Sequence, residues 1–340
     1  MGAVLVVNAG STSLKLSAVD ENGTTYRVGS LETAPRDVVA VGHRVVHGGE
    51  AFREPVLIDD EVERELAAVT ELAPLHNAPA LRAIDEARRV LPDIPHVAVF
   101  DTAFHATLPA EAATYALPRR FREELGIRRF GFHGLSVQWA AERVSTRRLV
   151  VCHLGGGSSV TAVRDGRSVD TTMGFTPLEG VPMTTRSGSV DPGALLYVLR
   201  TGELSVDALD QMLEHASGML GLSGISGRVD ELERSGEPGA LLALGVYTHR
   251  IAGAVAAMTA ALGGLDALVF TAGIGERSAR IRADVCARLG FLGVELDGQA
   301  NSEAEPDAEV ATPTSATRIV VLEAREDIVI ARAARACAAR

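Results

Sequence analysis

Lysine is almost missing from this sequence: of the 33 basic residues among 340, Lys15 is the one lysine and the other 32 are arginines. Without a Gly-Lys pair the chain cannot carry the G-x-x-x-x-G-K-[ST] phosphate loop, so that route to nucleotide binding is closed. No G-x-G-x-x-G opens a helix after a strand-like run, and no G-x-S-x-G elbow occurs, which excludes the dinucleotide fingerprint and the serine-hydrolase turn. Cysteine is also scarce. Cys152, Cys286 and Cys337 lie far apart, without metal-ligand spacing, and read as free, buried thiols of a reducing compartment. His43, His47, His105 and His133 form no H-E-x-x-H pair, so a zinc-hydrolase reading fails. The net charge of −11 argues against nucleic acid or an anionic membrane as the main partner. The longest apolar stretch, 251–265, is Ala/Gly-rich and short for a bilayer span, and Met1 leads directly into a strand-like run. A cytoplasmic protein is therefore expected.

What is present is a chain that is 46% apolar and long enough for two domains. VLVVNAGSTSLKLSAVDENG (4–23) reads as a Val-rich strand, a glycine turn and an alternating strand. RLVVCHLGGGSSVTAVRDGR (148–167) repeats the pattern, which predicts a duplicated fold with two related halves. In DALVFTAGIGERSARIR (266–282) a buried-type strand enters Gly273-Ile274-Gly275 and a helix follows from about 278, a setting suited to a phosphate or ribose. Helical periodicity is expected over 61–72, 80–91, 110–125, 190–202, 205–217, 239–263 and 325–339. Strands are expected at 4–8, 13–19, 97–101, 149–153, 158–164, 267–271 and 318–322, giving a mixed α/β protein. The polar, acidic stretch 297–317 reads as a surface excursion.

Polar residues inside otherwise apolar runs are the candidates for chemistry. Arg44 stands among valines in VGHRVVHGGE, and His76 and Asn77 sit in the Pro-punctuated LAPLHNAPAL. Asp101 ends a strand, where functional loops of α/β sheets begin, and His105 follows it. His133 is flanked by glycine in RRFGFHGLS, Arg186 lies in a Thr/Ser/Gly-rich loop, and Glu326 stands at a strand-to-helix junction. Taken singly, each reads equally as a buried ion pair, a helix cap or a packed histidine. Lys15, likewise, is either a residue of composition or a point charge beside a bound phosphate. Together, two arginines, several histidines, two carboxylates and three glycine turns suit phosphoryl transfer, which needs cations around three equatorial oxygens and carboxylates to hold Mg²⁺.

In order along the chain, NAGSTSLK, GHRVVHGGE, LAPLHNAPAL, VFDTAFHATLP, RRFGFHGLS, HLGGGSS, MGFTPLEGVPMTTRSG and FTAGIGER resemble the motifs of the acetate kinase family, from residue 4 to about 331. The resemblance implies the duplicated fold shared by acetate and sugar kinases, heat-shock chaperone ATPases and actin, with ribonuclease H-like halves and the active site in the cleft between them. It implies an N-terminal domain of 1–103 plus 328–340 and a C-terminal domain of 104–327 that binds nucleotide and dimerises. By the same resemblance, Asp101, His133, Arg186 and Arg44 are catalytic. Arg44, Val46, Leu75, Phe132 and Pro177 bind the acyl substrate, and Asn8 and Glu326 hold Mg²⁺ or, alternatively, Mn²⁺. Lys15, His153, Leu154, Gly155, Gly156 and Gly157 match nucleotide contacts, as do Arg228, Val229 and Asp230 and the run Gly273, Ile274, Gly275, Glu276 and Arg277. The implied activity is reversible transfer of the ATP γ-phosphoryl to acetate by a homodimer. Propionate or butyrate as acceptor, or nucleotide binding without turnover, are the alternatives. The chain departs from the family pattern in a short segment between Asn8 and Arg44, in Gly156 for an asparagine, in Arg228-Val229-Asp230 for Asp-Phe-Arg, and in Thr184 and Ser189 around Arg186.

Overall fold

The two glycine-turn hairpins each found a six-stranded sheet. The computed structural model describes all residues except Met1, 10–13 and 71–73, and the backbone alone for 74–76. In the first half, β1 (Val4–Ala9), β2 (Leu14–Val19), β3 (Thr25–Val28), β4 (Ala40–Val45), β5 (Val56–Leu57) and β6 (His96–Phe100) run in the order β3-β2-β1-β4-β6-β5. In the second, β7 (Arg148–Leu154), β8 (Ser158–Arg164), β9 (Arg167–Thr171), β10 (Ala267–Thr271), β11 (Ala308–Glu309) and β12 (Arg318–Leu322) run β11-β12-β10-β7-β8-β9. Read from the opposite edge, the second order matches the first strand for strand. Each half pairs its first three strands antiparallel, continues with two parallel strands, and closes on a two-residue antiparallel edge. The duplication expected from the echoed hairpins is present.

The Val-rich strands are buried on both faces, and their period of two divides them between cores. Val4 and Val6 face a core shared between the halves, whereas Leu5 and Val7 pack in a core that includes Ala83 and Ala87 of the helix Pro74–Val90. In β7, Leu149 and Val151 enter the shared core, and Val150, Cys152 and Leu154 face the helix Pro238–Leu262. That helix is long and apolar enough to cross a membrane, and no other described helix is. Here it is the central helix of the second half, with Leu244, Tyr247, Ile251 and Val255 buried. The helices Gly134–Arg143 and Glu326–Ala338 fill the shared core through Leu135, Val137, Trp139, Ile328 and Ile330. Close approach of the last helix explains Gly42 in β4: a Cβ there would lie 2.7 Å from Ile330 Cγ2.

Several elements differ from the sequence expectation, each for a physical reason. The helix expected over 110–125 is two short ones, Ala110–Ala113 and Arg119–Leu125, because Pro118 between them cannot continue the ladder. Gly134–Arg143 was not anticipated: most of it is buried, so it shows no polar stripe. Strand β4 is hidden by Gly42, His43 and Arg44, which interrupt the apolar run. The stretch 297–317 is anchored rather than merely superficial, since it forms the helix Gly298–Ser302 and β11 and buries Asn301 and Val310. Cys152 and Cys286 are buried free thiols as expected, but Cys337 is only half-buried, on the outer part of the last helix.

Candidate functional site

The ends of β1, β4, β6 and β7 converge on one cleft of about 390 Å³. It is lined by Asn8, Lys15, Arg44, Val46, Asp101, Phe132, His133, His153, Gly155, Gly156, Gly157, Pro177, Arg186 and Glu326, contributed by both halves. Arg44 leaves β4 between buried valines and meets the Asp101 carboxylate as a fork, with Nε 3.0 Å from Oδ1 and Nη2 2.5 Å from Oδ2. Its Nη1 donates to Asn8 Oδ1 at 3.2 Å, and Glu326 Oε2 lies 3.8 Å from its Nε. Burial works against the Arg44 charge, yet Asp101 and Glu326 hold its pKa above the ordinary arginine value. Burial pushes the Asp101 carboxyl up, and Arg44 opposes that shift.

The loop carrying His133 is pinned from two sides. The Gly134 N–H donates to Asp101 O at 2.9 Å, and a Cβ on Gly134 would fall 2.1 Å from that oxygen. Buried His105 donates from Nε2 to Phe132 O at 2.9 Å, with its Nδ1 2.9 Å from Ser168 Oγ. Its ring occupies the space beside Gly131, whose φ of +78° also favours glycine. His133 itself is left-handed, at φ 59°, and caps the helix Gly134–Arg143. Its ring stacks on His153 with centroids 3.9 Å apart, and its Nδ1 lies 3.0 Å from Ser159 Oγ. Burial, then the neighbouring His153, Arg44 and Arg186, keep its pKa well below the usual histidine range, so the ring is neutral. Gly157 leaves room beside both side chains: a Cβ there would sit 3.2 Å from His133 Nε2 and 3.4 Å from Arg186 Nη1. His133 and Arg186 thus face one another across the glycine turn of β7 and β8.

Lys15 is exposed and lies opposite Asn8 in the β1–β2 register, on the rim of the cleft. The 10–13 part of its turn lies outside the described residues. So do the side chains of Leu75 and His76. Asn77, by contrast, is buried and brackets His47, accepting its N–H at 3.0 Å and donating to its carbonyl at 2.9 Å. Behind the cleft, Val46 and Phe132 pack with Met173 and Met183 in a small apolar cluster.

A second cavity, of about 530 Å³, shares Gly155 and Gly156 with the cleft and is lined by Thr184, Arg228, Val229, Asp230, Glu233, Gly273, Ile274, Arg277 and Ser278. Leu154, Gly275 and Glu276 line neither space: Leu154 is core, Gly275 packs on Phe270, and Glu276 Oε1 accepts the Ala324 N–H at 2.9 Å. Three further residues hold this machinery; sequence reasoning missed Arg282 and Glu214 and marked Thr184 only as a departure from the family pattern. Buried Arg282 donates from Nη1 to Gly275 O and Glu276 O, at 2.9 and 2.8 Å, which fixes the short helix Ala272–Arg277 that stands after β10 where a glycine turn was expected. The Thr184 hydroxyl donates to Gly156 O at 3.0 Å. Glu214 pairs with Arg186 Nε at 2.9 Å. Nothing local in the sequence marks the first and third, since their partners lie on separate elements or loops.

The buried histidines predict acid sensitivity. Burial lowers His43 to about 3, and His105 and His153 to about 4 each. Unfolded, each titrates near 6.5. Their folded-state contribution is complete above that pH and is lost as pH falls from about 6.5 toward 4, at about 1.4 kcal/mol per pH unit per group. The thermal unfolding midpoint is therefore expected to fall steeply between pH 6.5 and 5, and less steeply in His105→Asn. A flat profile over that interval would contradict the neutral, buried placement.

The fold and the cleft define a class: a phosphotransferase built from two related α/β halves, with two arginines and a neutral histidine gathered beside a glycine turn. A family model described as the Acetokinase family matches residues 24–332. The acetate kinase of Nostoc punctiforme is 48% identical over 307 residues, covering 87% of this chain and 76% of that one. The acetate kinase of Halothermothrix orenii is 46% identical over 307 residues, covering 87% and 77%. Among solved structures, a propionate kinase from Francisella tularensis superposes with a TM-score of 0.91 at 34% identity, covering 99% of this chain and 100% of that one. The acetate kinase of Porphyromonas gingivalis gives 0.88 at 32%, with the same coverage. The chain belongs to the acetokinase family, and it is a carboxyl-group phosphotransferase.

Proposed function

We propose that this enzyme transfers the γ-phosphoryl of ATP to acetate, giving acetyl phosphate and ADP, and runs in reverse. The observation that carries this reading is the gathering of Arg44, Arg186 and neutral His133 in the lining of one cleft, with both arginines near the histidine. The acetate carboxylate would lie against Arg44, with its methyl toward Val46, Phe132 and Pro177 and, as implied for its position, Leu75. The γ-phosphoryl would lie over Gly157, between Arg186 and His133. One carboxylate oxygen attacks the γ-phosphorus, the bond from that phosphorus to the bridging oxygen breaks, and ADP leaves with the electron pair. Arg186 spans two equatorial oxygens, and His133, with Nδ1 engaged by Ser159, donates from Nε2 to a third. Asp101 holds Arg44 in place. Gly155–Gly157, Thr184, Arg228–Asp230 and the 273–277 turn would hold the nucleotide, with Lys15 at its phosphates.

Among the described residues no group of three His, Cys, Asp or Glu side chains could hold a metal alone. The oxygens of Asn8 and Glu326 on the cleft wall still suit Mg²⁺, or Mn²⁺, because Mg²⁺ is usually held by one or two protein oxygens plus phosphates and water. Bound there, the ion would neutralise phosphate charge. The domain division 1–103 with 328–340 against 104–327 is supported by the last helix, which returns to pack on β1, β4 and β6. A homodimer is supported by the helix Pro192–Thr201, which buries none of its residues and exposes Leu196 and Tyr197; sedimentation of the purified chain tests it. A cytoplasmic location follows from the use of ATP.

The likeness to a propionate kinase keeps a larger acyl group in view. Trapping acyl phosphate with hydroxylamine, with acetate, propionate and butyrate in parallel, decides among them: acetate is expected to give the highest kcat/KM. Val46→Ala should enlarge the pocket and raise the propionate-to-acetate ratio by up to about tenfold, the scale of one methylene. An unchanged ratio would mean that Val46 and Phe132 do not bound the acyl group.

A further inference from the structure

Arg186 sits on a loop, where a long side chain has many rotamers, and yet the proposed reaction needs its guanidinium in one orientation. We propose that Glu214 is the positioning residue that supplies that orientation, an inference that rests on the transfer role given to Arg186 above. Glu214 lies in the last turn of the helix Val206–His215 and its side chain is only 10% exposed. A carboxylate so buried requires a cationic or hydrogen-bonding partner. Its Oε2 lies 2.9 Å from Arg186 Nε.

The same helix end also holds the backbone on both sides of the arginine. Thr185 Oγ1 donates to Glu214 O at 2.9 Å, the Ser187 N–H donates to Leu213 O at 3.0 Å, and the Ser217 N–H donates to Thr185 O at 2.9 Å. The guanidinium is planar, so fixing Nε together with the loop fixes the direction of its far edge. That edge points into the cleft: Nη1 is 3.5 Å from Pro177 O and 3.7 Å from Met183 Sδ, and it faces the gap at Gly157. Glu214 is not among the residues that line the cleft. Its effect is therefore on the geometry of the transfer step and not on substrate contact. Ordering the arginine beforehand removes a conformational cost from the step in which the phosphoryl is in flight.

The test is steady-state acetyl phosphate formation by Glu214→Ala and Glu214→Gln, each in the native and the Arg186→Lys backgrounds, with thermal unfolding measured alongside. Glu214→Ala is expected to lower kcat by about 10²-fold, the scale of a 1 Å misplacement. KM for acetate and for ATP should change by less than about threefold, because the lost interaction belongs to the transition state. Glu214→Gln keeps the volume and an acceptor for Nε–H, folds even if the alanine variant does not, and should lose about three- to tenfold in kcat. In the Arg186→Lys background, which has no Nε–H, neither change should matter by more than about twofold. A native kcat in both Glu214 variants, a loss carried by KM, or equal losses in the two backgrounds would overturn the proposal. Turnover of the native enzyme is measured first, so that absence of any acyl phosphate there counts against the acetate reading and not against Glu214.

Discussion

Arg186→Ala should reduce kcat by about 10³–10⁵-fold, the range over which an arginine stabilises a transferring phosphoryl group. The arginine faces His133 across Gly157, where a Cβ would already be within 3.4 Å of its Nη1. Of the other described cations that line the cleft, Arg44 is tied to Asp101 and Lys15 is an exposed residue of its rim. Arg186→Lys should recover little, because an ammonium cannot span two phosphoryl oxygens as the planar fork does. The KM values should move far less than kcat, because the interaction is strongest while charge is in transit. Steady-state kinetics on the two variants check this, and a lysine variant with near-native turnover would remove Arg186 from the transfer step.

Asp101→Ala is expected to fail twice over. The Asp101 carboxylate is the forked partner of Arg44, and its loss leaves Glu326, 3.8 Å away, as the nearest carboxylate. Truncating one partner of a buried ion pair costs about 3–5 kcal/mol, because the remaining charge is uncompensated. Urea unfolding should show a loss of that size, and kcat should fall by about 10²-fold or more as Arg44 loses its fixed direction. Asp101→Asn keeps the shape and one acceptor, and should recover part of the stability and less of the rate. An alanine variant with native stability would mean that Arg44 does not depend on Asp101.

The sequence made the duplication legible, because two valine-rich strands with glycine turns are a local pattern repeated at a distance, and the sheets built on them match strand for strand. It also made Arg44, Asp101, His133, Arg186 and Glu326 legible as candidates, because each is a charged or ionisable residue in an apolar run, at an element end or in a glycine-rich loop, and the cleft brings all five together. Local pattern could not show which of them meet. Read alone, Arg44 was equally a buried ion pair or an anion contact; the structure shows the pair with Asp101, and the cleft leaves room for the contact as well. Glu214 and Arg282 were invisible for a different reason. Each is one charged residue in an ordinary helical pattern, and its significance comes from a loop or turn outside its own helix. Strand β4 was missed because Arg44, which serves the cleft, helps to break its periodicity, and the helix Gly134–Arg143 because its burial leaves it no polar stripe.

The central claim, that a carboxylate oxygen attacks the γ-phosphorus within this cleft, is tested most directly by isotope transfer. The enzyme would be incubated with Mg²⁺, ATP and acetate carrying ¹⁸O in both carboxylate positions, and the products read by ³¹P nuclear magnetic resonance. Attack on phosphorus predicts acetyl phosphate whose phosphorus signal is shifted by one bridging ¹⁸O, together with ADP that contains none. Acetyl phosphate without the shift, or ATP consumed to ADP and ¹⁸O-free inorganic phosphate with no acetyl phosphate formed, would contradict the account.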